Sequence, residues 1–322
     1  MMFCILGLQT TYFIRWLYKV SPFKEGKLLE TIRSLFRRKK KNEVKTTPLS
    51  EEELKEVVKP IKNIGALQLI PGVARNVGKQ RDHNEDSLFS LCSYISEGSR
   101  ETPFGIFIVA DGMGGHLFGD VASNVAIKAF SRHLVEKIII PMLNTESQIP
   151  TESLQEIMEA SVNAAQIAVQ RYAPSGGTTL TAALVMGEQV TIAHVGDSRA
   201  YFIYPDGRTQ KLTYDHSLVH RLVELGQIEE KDAKTHPQRN VLYRAIGQAE
   251  PYKPDIATFQ LPHPGKILLC SDGLWSIISD EEIFKIIISS HSVIEACNDL
   301  VSAANAAGEP DNISVILVDI LM

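Results

Sequence analysis

The sequence predicts an α+β body in which antiparallel sheets carry the core. Segments rich in Val, Ile, Thr and aromatic residues follow one another in runs, whereas the helical patterns lie in separate blocks. The strict strand–helix alternation that is typical of a parallel sheet is missing from this pattern. With 322 residues, of which 44% are hydrophobic, the chain is long enough for one large domain with an appendage, or for two small domains.

The first 60 residues differ in charge from the rest of the chain. They contain 13 Lys/Arg and 7 Asp/Glu, whereas the remainder contains 20 and 31. We predict that residues 1–60 form a basic tail and linker with a short helix, which Ser50 and Glu53 cap and Pro60 ends. The acidic remainder argues against a body that binds nucleic acid broadly.

The apolar stretch at the N-terminus is too short for a membrane span, which needs about 20 apolar residues. Arg15 and Lys19 interrupt it. No basic region precedes it and no small-residue cleavage site follows it, which argues against a signal peptide. We interpret residues 1–41, which end in the cationic cluster 33–41, as a disordered tail or the product of a start codon placed too early. The alternative is a weak peripheral contact with the inner face of the membrane.

The cysteines exclude two kinds of chemistry. They are scattered and form no C-x-x-C pair, which indicates a reducing, cytoplasmic location rather than a disulfide framework or a zinc site. A cysteine-dependent phosphatase needs an arginine six residues after its nucleophile, and none of the cysteines has one there. The four are Cys4, Cys92, Cys270 and Cys297.

Seven strands and three helices are predicted after the tail. The strands are expected at 67–76, 104–110, 178–186, 190–195, 199–204, 266–270 and 313–320. Apolar residues at helical spacing predict helices over 119–138 and 151–172. A third helix is expected to follow Ser279, with Glu282 completing a capping box. The polar, turn-rich segment 206–255 is interpreted as an excursion from the sheets.

Three Asp-Gly pairs follow runs that look like strands. Asp206 comes after Pro205 between two plausible strands, so we assign it to a hairpin turn. Asp111 and Asp272 instead end continuous apolar runs that look buried, and each precedes a helical stretch. Functional groups tend to gather at such junctions, which makes these two aspartates candidate site residues.

Four further acidic residues lie in similar settings: Glu85 and Asp86, just after the first predicted strand, Asp197 between two strands, and Asp311 before the last strand. Each alone is better explained as a turn or cap residue. If they converge with the two Asp-Gly aspartates, a multivalent cation is the most direct way to offset their repulsion. Oxygen ligands select Mg²⁺, Mn²⁺ or Ca²⁺, and no calcium-binding loop is visible. The pattern therefore favours a two-metal site that activates water at phosphorus.

Seven motifs in order resemble the metal-dependent protein Ser/Thr phosphatases of type 2C, the PPM family, in its bacterial branch. They are RDHNED, ADGMGGH, SGGTTLTAALV, HVGDSRAY, LTYDHS, CSDGLW and PDNISVI. The resemblance runs from Val73 to Asp319. It implies a catalytic domain over residues 61–322 that folds as a four-layer αββα sandwich, two packed antiparallel sheets flanked by helices. The excursion, at about 206–255, would be the flap beside the active site.

The resemblance also assigns ligands for two Mn²⁺ or Mg²⁺ ions. Asp111 would bridge the two ions, and the carbonyl of Gly112 would bind the second. Asp272 and Asp311 would hold the first ion. Asp86 would support the second.

Further positions carry other expected roles. Asp197 would bind a weaker third ion. Arg81 would bind the substrate phosphate, for which a planar guanidinium is suited. Three residues are expected as neighbours of these groups: Glu85, His116 and Asn312.

The implied reaction is hydrolysis of phosphoserine and phosphothreonine in proteins by metal-activated water, without a covalent intermediate. The expected partners are phosphoproteins and a Ser/Thr kinase whose products the enzyme reverses, and a monomer is expected. Met113 stands where eukaryotic members carry a histidine proposed as general acid; we interpret His116 as a packing or capping residue, so the general acid stays open. A pseudo-phosphatase that only binds phosphoproteins or a partner is the main alternative. A two-metal nuclease is disfavoured because no basic groove is indicated.

Overall fold

The computed structural model of the protein describes residues 67–97, 100–114, 118–144, 152–233, 235–249 and 252–321. Two antiparallel five-stranded sheets form its centre. The first contains, in spatial order, β1 (Gln68–Asn76), β12 (Ile313–Leu321), β11 (Gly265–Cys270), β8 (Arg199–Ile203) and β9 (Thr209–Lys211). The second contains β10 (Asp255–Gln260), β7 (Gln189–Val195), β6 (Leu180–Met186), β3 (Arg100–Ala110) and β2 (Ser87–Glu97). A small third pairing joins β4 (Gly112–Met113) to β5 (Gly177–Thr178).

Helices cover the outer face of each sheet. On the second sheet lie α1 (Phe118–Leu134), which continues through a π-helical turn (Val135–Ile139) into α2 (Ile140–Leu143), and α3 (Leu154–Tyr172). On the first sheet lie α7 (Asp280–Ser289) and α8 (Val293–Ala306). Shorter helices are α4 (Leu218–Glu224), α5 (Glu230–Ala233) and α6 (Asp272–Trp275).

Three buried apolar layers separate these four layers of structure. Phe130 of α1 belongs to the layer between the helices and the second sheet. Phe107 and Phe202 meet between the two sheets. Leu300 of α8 packs with Leu317 in the third layer. The order helix, sheet, sheet, helix confirms the predicted α+β class and the four-layer αββα sandwich.

Strand β3 shows why the apolar runs of this sequence are continuous. Successive side chains of a strand point to opposite faces of its sheet. Ile106 and Ile108 point toward the helices, whereas Phe107 and Val109 point toward the other sheet. All four side chains are fully buried, because both faces of the strand are covered.

All seven predicted strands form, but four strands and one long helix were not predicted. Edge strand β2 (SLFSLCSYISE) has a serine at every third residue rather than a two-residue alternation, and β4 has only two residues. Strand β9 lies within the predicted excursion, and β10 begins at its end. Helix α8 was missed although its buried residues have helical spacing. One placement was wrong: Glu85 and Asp86 do not follow the first strand directly but immediately precede β2. The register of β2 therefore sets their position.

Several predictions fall on residues outside the described ranges. They concern the tail and helix at 1–60, the membrane contact at 1–41, and His116; all remain predictions. Within the part of the chain that the structure describes, no helix is both long enough and apolar enough to cross a membrane. The three described cysteines are free thiols.

Candidate metal centre

Four aspartates from both sheets gather around a fifth, Asp111. The Asp111 carboxyl interacts electrostatically with each of the other four. Each lies where a strand begins or ends. Asp86 precedes β2, Asp111 follows β3, Asp197 lies between β7 and β8, Asp272 follows β11, and Asp311 precedes β12. The structure thus brings together the aspartates that the sequence analysis singled out.

Two threonines hold the backbone of Asp111. Its N–H donates to Thr179 Oγ1 at 2.9 Å. Its carbonyl accepts from the Thr179 N–H and the Thr178 hydroxyl, both at 2.9 Å. The backbone groups are satisfied by protein partners, so the carboxylate is left to point into the cluster.

The glycines after Asp111 and Asp272 allow close packing. A Cβ atom on Gly112 would lie 2.2 Å from the Gly119 carbonyl oxygen. A Cβ atom on Gly273 would lie 2.1 Å from the Asn312 carbonyl oxygen. Neither glycine has a left-handed backbone, whereas Gly207, in the predicted hairpin turn, has φ +95°. The Asp-Gly pairs of the cluster are therefore not ordinary turns.

Some carboxylate oxygens of the cluster have no donor. Asp86 Oδ2 accepts from the Ser271 hydroxyl at 2.9 Å. Asp86 Oδ1 and Asp272 Oδ1 are buried without a hydrogen-bond partner. A buried, unpaired carboxylate oxygen is costly, and a cation would satisfy both atoms. The donor set is oxygen only, which fits Mg²⁺ or Mn²⁺.

The electrostatics also fit a cation. Burial, with the neighbouring carboxylates, raises the pKa of Asp86 to about 6 and that of Asp197 to about 7. Burial and the same repulsion raise the pKa of Asp111 and of Asp272 well above the usual range of an aspartate. These groups resist carrying negative charge together unless positive charge offsets it.

Asp111 occupies the middle of the cluster. Of the other four carboxylates, those of Asp86 and Asp272 act most strongly on its charge. Among the described residues, however, no three His, Cys, Asp or Glu side chains already have the spacing of ligands to one metal ion. The central position suits a bridging ligand, and coordination would require the outer carboxylates to turn toward a shared ion.

Arg81 supplies the positive charge at the open edge of the cluster. Its Nη2 lies 2.8 Å from Asp311 Oδ2, and its side chain is 48% exposed. The charges of Asp311, Glu85 and Asp111 all act on it. A half-exposed guanidinium beside a candidate metal ligand is well placed to bind a phosphate from solvent.

Asn312 joins the two loops that carry Asp86 and Asp311. Its Oδ1 accepts from the Glu85 N–H at 2.7 Å. Its Nδ2 donates to the carbonyls of Val77 and His83, at 2.8 and 3.1 Å. Asn312, which was predicted as a neighbour of the ligands, is thus a buried side chain that holds the two loops together by hydrogen bonds. Glu85, the other described neighbour, is buried, and its Oε1 lies 3.3 Å from His83 Nε2.

Three residues around Asp197 were given no role in the sequence analysis. The Trp275 indole N–H donates to the Asp197 carbonyl at 3.0 Å. The Arg199 guanidinium lies 3.4 Å from the centre of the Trp275 ring and pairs with both oxygens of Asp215, at 2.9 and 2.6 Å. Arg199 and Asp215 lie in the motifs HVGDSRAY and LTYDHS. Their position in those motifs could have identified them as residues near the site.

A family model and curated relatives match this chain. The model described as Protein phosphatase 2C matches residues 72–313. Serine/threonine phosphatase stp of Listeria welshimeri serovar 6b is 39% identical over 245 residues, which cover 75% of this chain and 92% of that protein. Protein phosphatase PhpP of Streptococcus pneumoniae serotype 2 is 35% identical over 251 residues, which cover 76% and 94%.

Solved structures agree with these matches. The serine/threonine phosphatase PstP/Ppp of Mycobacterium tuberculosis has a TM-score of 0.64 and 30% identity, covering 79% of this chain and 99% of that one. The catalytic domain of PstP in complex with two manganese ions has a TM-score of 0.62 and 28% identity, covering 80% and 100%. On the extent of these matches, the chain belongs to the protein phosphatase 2C family of serine/threonine phosphatases.

Proposed function

We propose that this phosphatase hydrolyses phosphoserine and phosphothreonine in proteins at a two-metal site formed by the aspartate cluster. The observation that carries the proposal is the convergence of four aspartates on Asp111, in a chain of the protein phosphatase 2C family. None of the positions assigned as ligands has lost its oxygen donor. The binding-only alternative therefore has no support.

The contacts support a division of the ligands between ions. Asp111, which faces both Asp86 and Asp272, would bridge two ions. Asp272 and Asp311 would complete the first, and Asp86 with the Gly112 carbonyl the second. When bound, the ions would offset the carboxylate charge and activate water for attack on phosphorus. Both Mn²⁺ and Mg²⁺ accept such ligands; the two manganese ions of the PstP complex favour Mn²⁺ as the first ion to test.

Arg81 would bind the substrate, and Asp197 would bind a further ion. Arg81 would exchange its contact with Asp311 for the phosphate oxygens, holding the phosphorus in line with the attacking water. Asp197 would hold a weaker third ion. Met113 cannot protonate the leaving alcohol, because a thioether carries no proton.

The excursion between β9 and β10 would influence which proteins are dephosphorylated. Its two ends pair with each other through Ser217 and Leu242. Ile246, near its end, pairs with Thr178, which also bonds the backbone of Asp111. A segment attached this close to the ligands is well placed to contact a bound phosphoprotein. We propose a Ser/Thr kinase as the source of those phosphoproteins, by analogy with the family.

The test is release of phosphate from a phosphothreonine peptide with Mn²⁺, with Mg²⁺ and with EDTA. We expect turnover that requires metal and that falls by more than about 100-fold in Asp111→Asn and Asp272→Asn, because even neighbours of metal ligands often contribute 10–100-fold. Asp206→Asn is the matched control, since it alters an Asp-Gly pair in an exposed turn. It should keep the activity of the unsubstituted protein.

Two results would contradict the proposal. Folded protein that releases no phosphate from several phosphopeptides, with either metal, would move the assignment to a binding-only protein. A trapped covalent phospho-enzyme would exclude direct attack by water.

A further inference from the structure

His216, at the start of the excursion, is bonded to the turn that carries Asp197. The Gly196 N–H donates to His216 Nδ1 at 3.1 Å. The His216 N–H donates to the Gly196 carbonyl at 2.7 Å. The His216 side chain is almost fully buried. Both backbone groups of the residue before Asp197 are therefore satisfied by one histidine.

These contacts define the tautomer of His216. Because Nδ1 accepts from Gly196, the ring proton is on Nε2, which donates to Asp255 Oδ2 at 3.2 Å. Asp255 lies in β10 and also accepts from Arg244 Nη1 at 3.1 Å. His194 lies against the ring, with centroids 4.9 Å apart. The imidazole is thus a fixed link between the Asp197 turn and strand β10.

The residue before His216 holds the other side of the same turn. Asp215 makes its double ion pair with Arg199, two residues after Asp197. Gly196 has φ +111°, and a Cβ atom there would lie 2.6 Å from Thr179. The turn therefore has little conformational freedom. His216 holds it at Gly196, before Asp197, and Asp215 holds it at Arg199, after Asp197.

We propose that His216 is a positioning residue that orients Asp197 toward its cation. The proposal rests on the proposed role of Asp197 as a metal ligand. Without the imidazole, the Gly196 N–H would lose its acceptor, and the turn would have to move to find another. The His216 carbonyl also accepts the Tyr243 N–H at 2.9 Å, so the far end of the excursion is tied to the same turn.

Two substitutions separate the roles of the ring nitrogens. In His216→Asn, the amide oxygen lies near the place of Nδ1 and keeps an acceptor for Gly196. In His216→Gln, the longer side chain reaches the place of Nε2 and leaves Gly196 without its acceptor. Both variants replace the imidazole ring with an amide side chain. Each therefore controls for the loss of the ring in the other.

The measurement is a Mn²⁺ binding isotherm of metal-stripped protein by titration calorimetry, which does not depend on turnover. We expect Asp197→Asn to lose the weakest binding step. His216→Gln should weaken that step about tenfold or more, as is usual when a partner of a metal ligand is removed. His216→Asn should bind Mn²⁺ as the unsubstituted protein does, and the tighter steps should be unchanged in all three variants.

An unchanged weakest step in His216→Gln, with that step lost in Asp197→Asn, would overturn the proposal. If Asp197→Asn also binds like the unsubstituted protein, Asp197 is not a ligand and the role of His216 is overturned with it; phosphate release and the Asp111→Asn variant still test the two-metal reaction. Thermal unfolding in EDTA shows whether His216→Gln folds. If it does not, His216→Leu takes its place, because its apolar side chain fills part of the space of the ring and also leaves the Gly196 N–H without an acceptor. A weakened step then supports the proposal, and an unchanged isotherm overturns it.

Discussion

At the residue scale, the same dipeptide has two structural meanings in this protein. Gly207 is needed for its left-handed backbone, and a Cβ atom there would meet only Phe284, at 3.6 Å. Gly273 is needed because the Asn312 carbonyl approaches to 2.1 Å from where a Cβ atom would lie. The first glycine shapes a turn, and the second lets the β11 end and the β12 start pack together beside Asp272.

Alanine substitutions should separate these two meanings. Gly273→Ala must displace backbone at the start of β12, so we expect a loss of about 1–3 kcal/mol of stability and a large loss of activity. Gly207→Ala should cost about 1–2 kcal/mol through its backbone conformation and leave activity unchanged. Urea unfolding and phosphate release measure both effects. Equal activity in the two variants would show that the packing at Gly273 does not position the site.

At the element scale, the site depends on how loops are fastened to strand ends. Asn312, at the start of β12, bonds three backbone groups of the connection between β1 and β2. That connection carries Arg81 and Asp86. One buried amide therefore sets the distance between candidate ligands that belong to different sheets.

Asn312→Ala should weaken Mn²⁺ binding more than its loss of stability alone explains. Its buried partners would be left unpaired, at a cost of about 1–3 kcal/mol each before relaxation. We expect a loss of about 3 kcal/mol and weakened Mn²⁺ binding, because Asp86 and Asp311 would no longer be held together. Urea unfolding and Mn²⁺ titration calorimetry measure these changes.

Ser153→Ala is a matched destabilised control for Asn312→Ala. Ser153 caps α3 in a complete capping box outside the cluster. The substitution should cost about 1 kcal/mol and leave Mn²⁺ binding unchanged. Weakened Mn²⁺ binding in Ser153→Ala as well would mean that general destabilisation explains both results.

At the scale of the whole molecule, the fold brings several like charges together between its two sheets. Each contributing strand end is positioned by core layers that bury apolar side chains on both faces. The stability of those layers offsets the repulsion within the aspartate cluster. The stability of the metal-free protein should therefore depend strongly on pH.

We expect metal-free protein to lose stability as the pH rises from about 4 to about 7. An unperturbed aspartate has a pKa of about 3.9, whereas Asp86 and Asp197 have values of about 6 and about 7 in the folded protein. With folded values above unfolded ones, their contribution to stability is complete below pH 4 and is lost as the pH passes 6 and 7. For Asp86 alone this amounts to about 3 kcal/mol. Thermal unfolding in EDTA at a series of pH values measures it.

Two controls belong to this pH experiment. Saturating Mn²⁺ should restore stability at pH 8, because a cation bound to the folded state stabilises it. Asp197→Asn should show a shallower pH dependence in EDTA, since one repelling carboxylate is gone. A pH dependence identical to that of the unsubstituted protein would show that the cluster does not govern stability in this range.

The fold class, most strand positions and the candidate ligands were predictable from the amino-acid sequence. Buried strands leave continuous apolar runs, helix starts leave Ser-x-x-Glu patterns, and Asp-Gly pairs after apolar runs mark strand ends. Ser279 accepts from the Glu282 N–H, which is one of the two bonds of the predicted capping box. These signals are local, so they can be read from neighbouring residues. The edge strand β2 left a weaker signal because polar side chains interrupt its apolar ones.

The contacts between residues far apart in the chain were not predictable in this way. Glu85 and Asn312, which are 227 residues apart, lie in hydrogen-bonding contact. The bonds of His216 to Gly196 and of Trp275 to Asp197 likewise join separate elements. Such contacts depend on strand order and on the packing of one sheet against the other, which no local pattern encodes. Local patterns therefore predicted aspartates that the fold brings together, and the packing of the sheets determined which residues hold them in place.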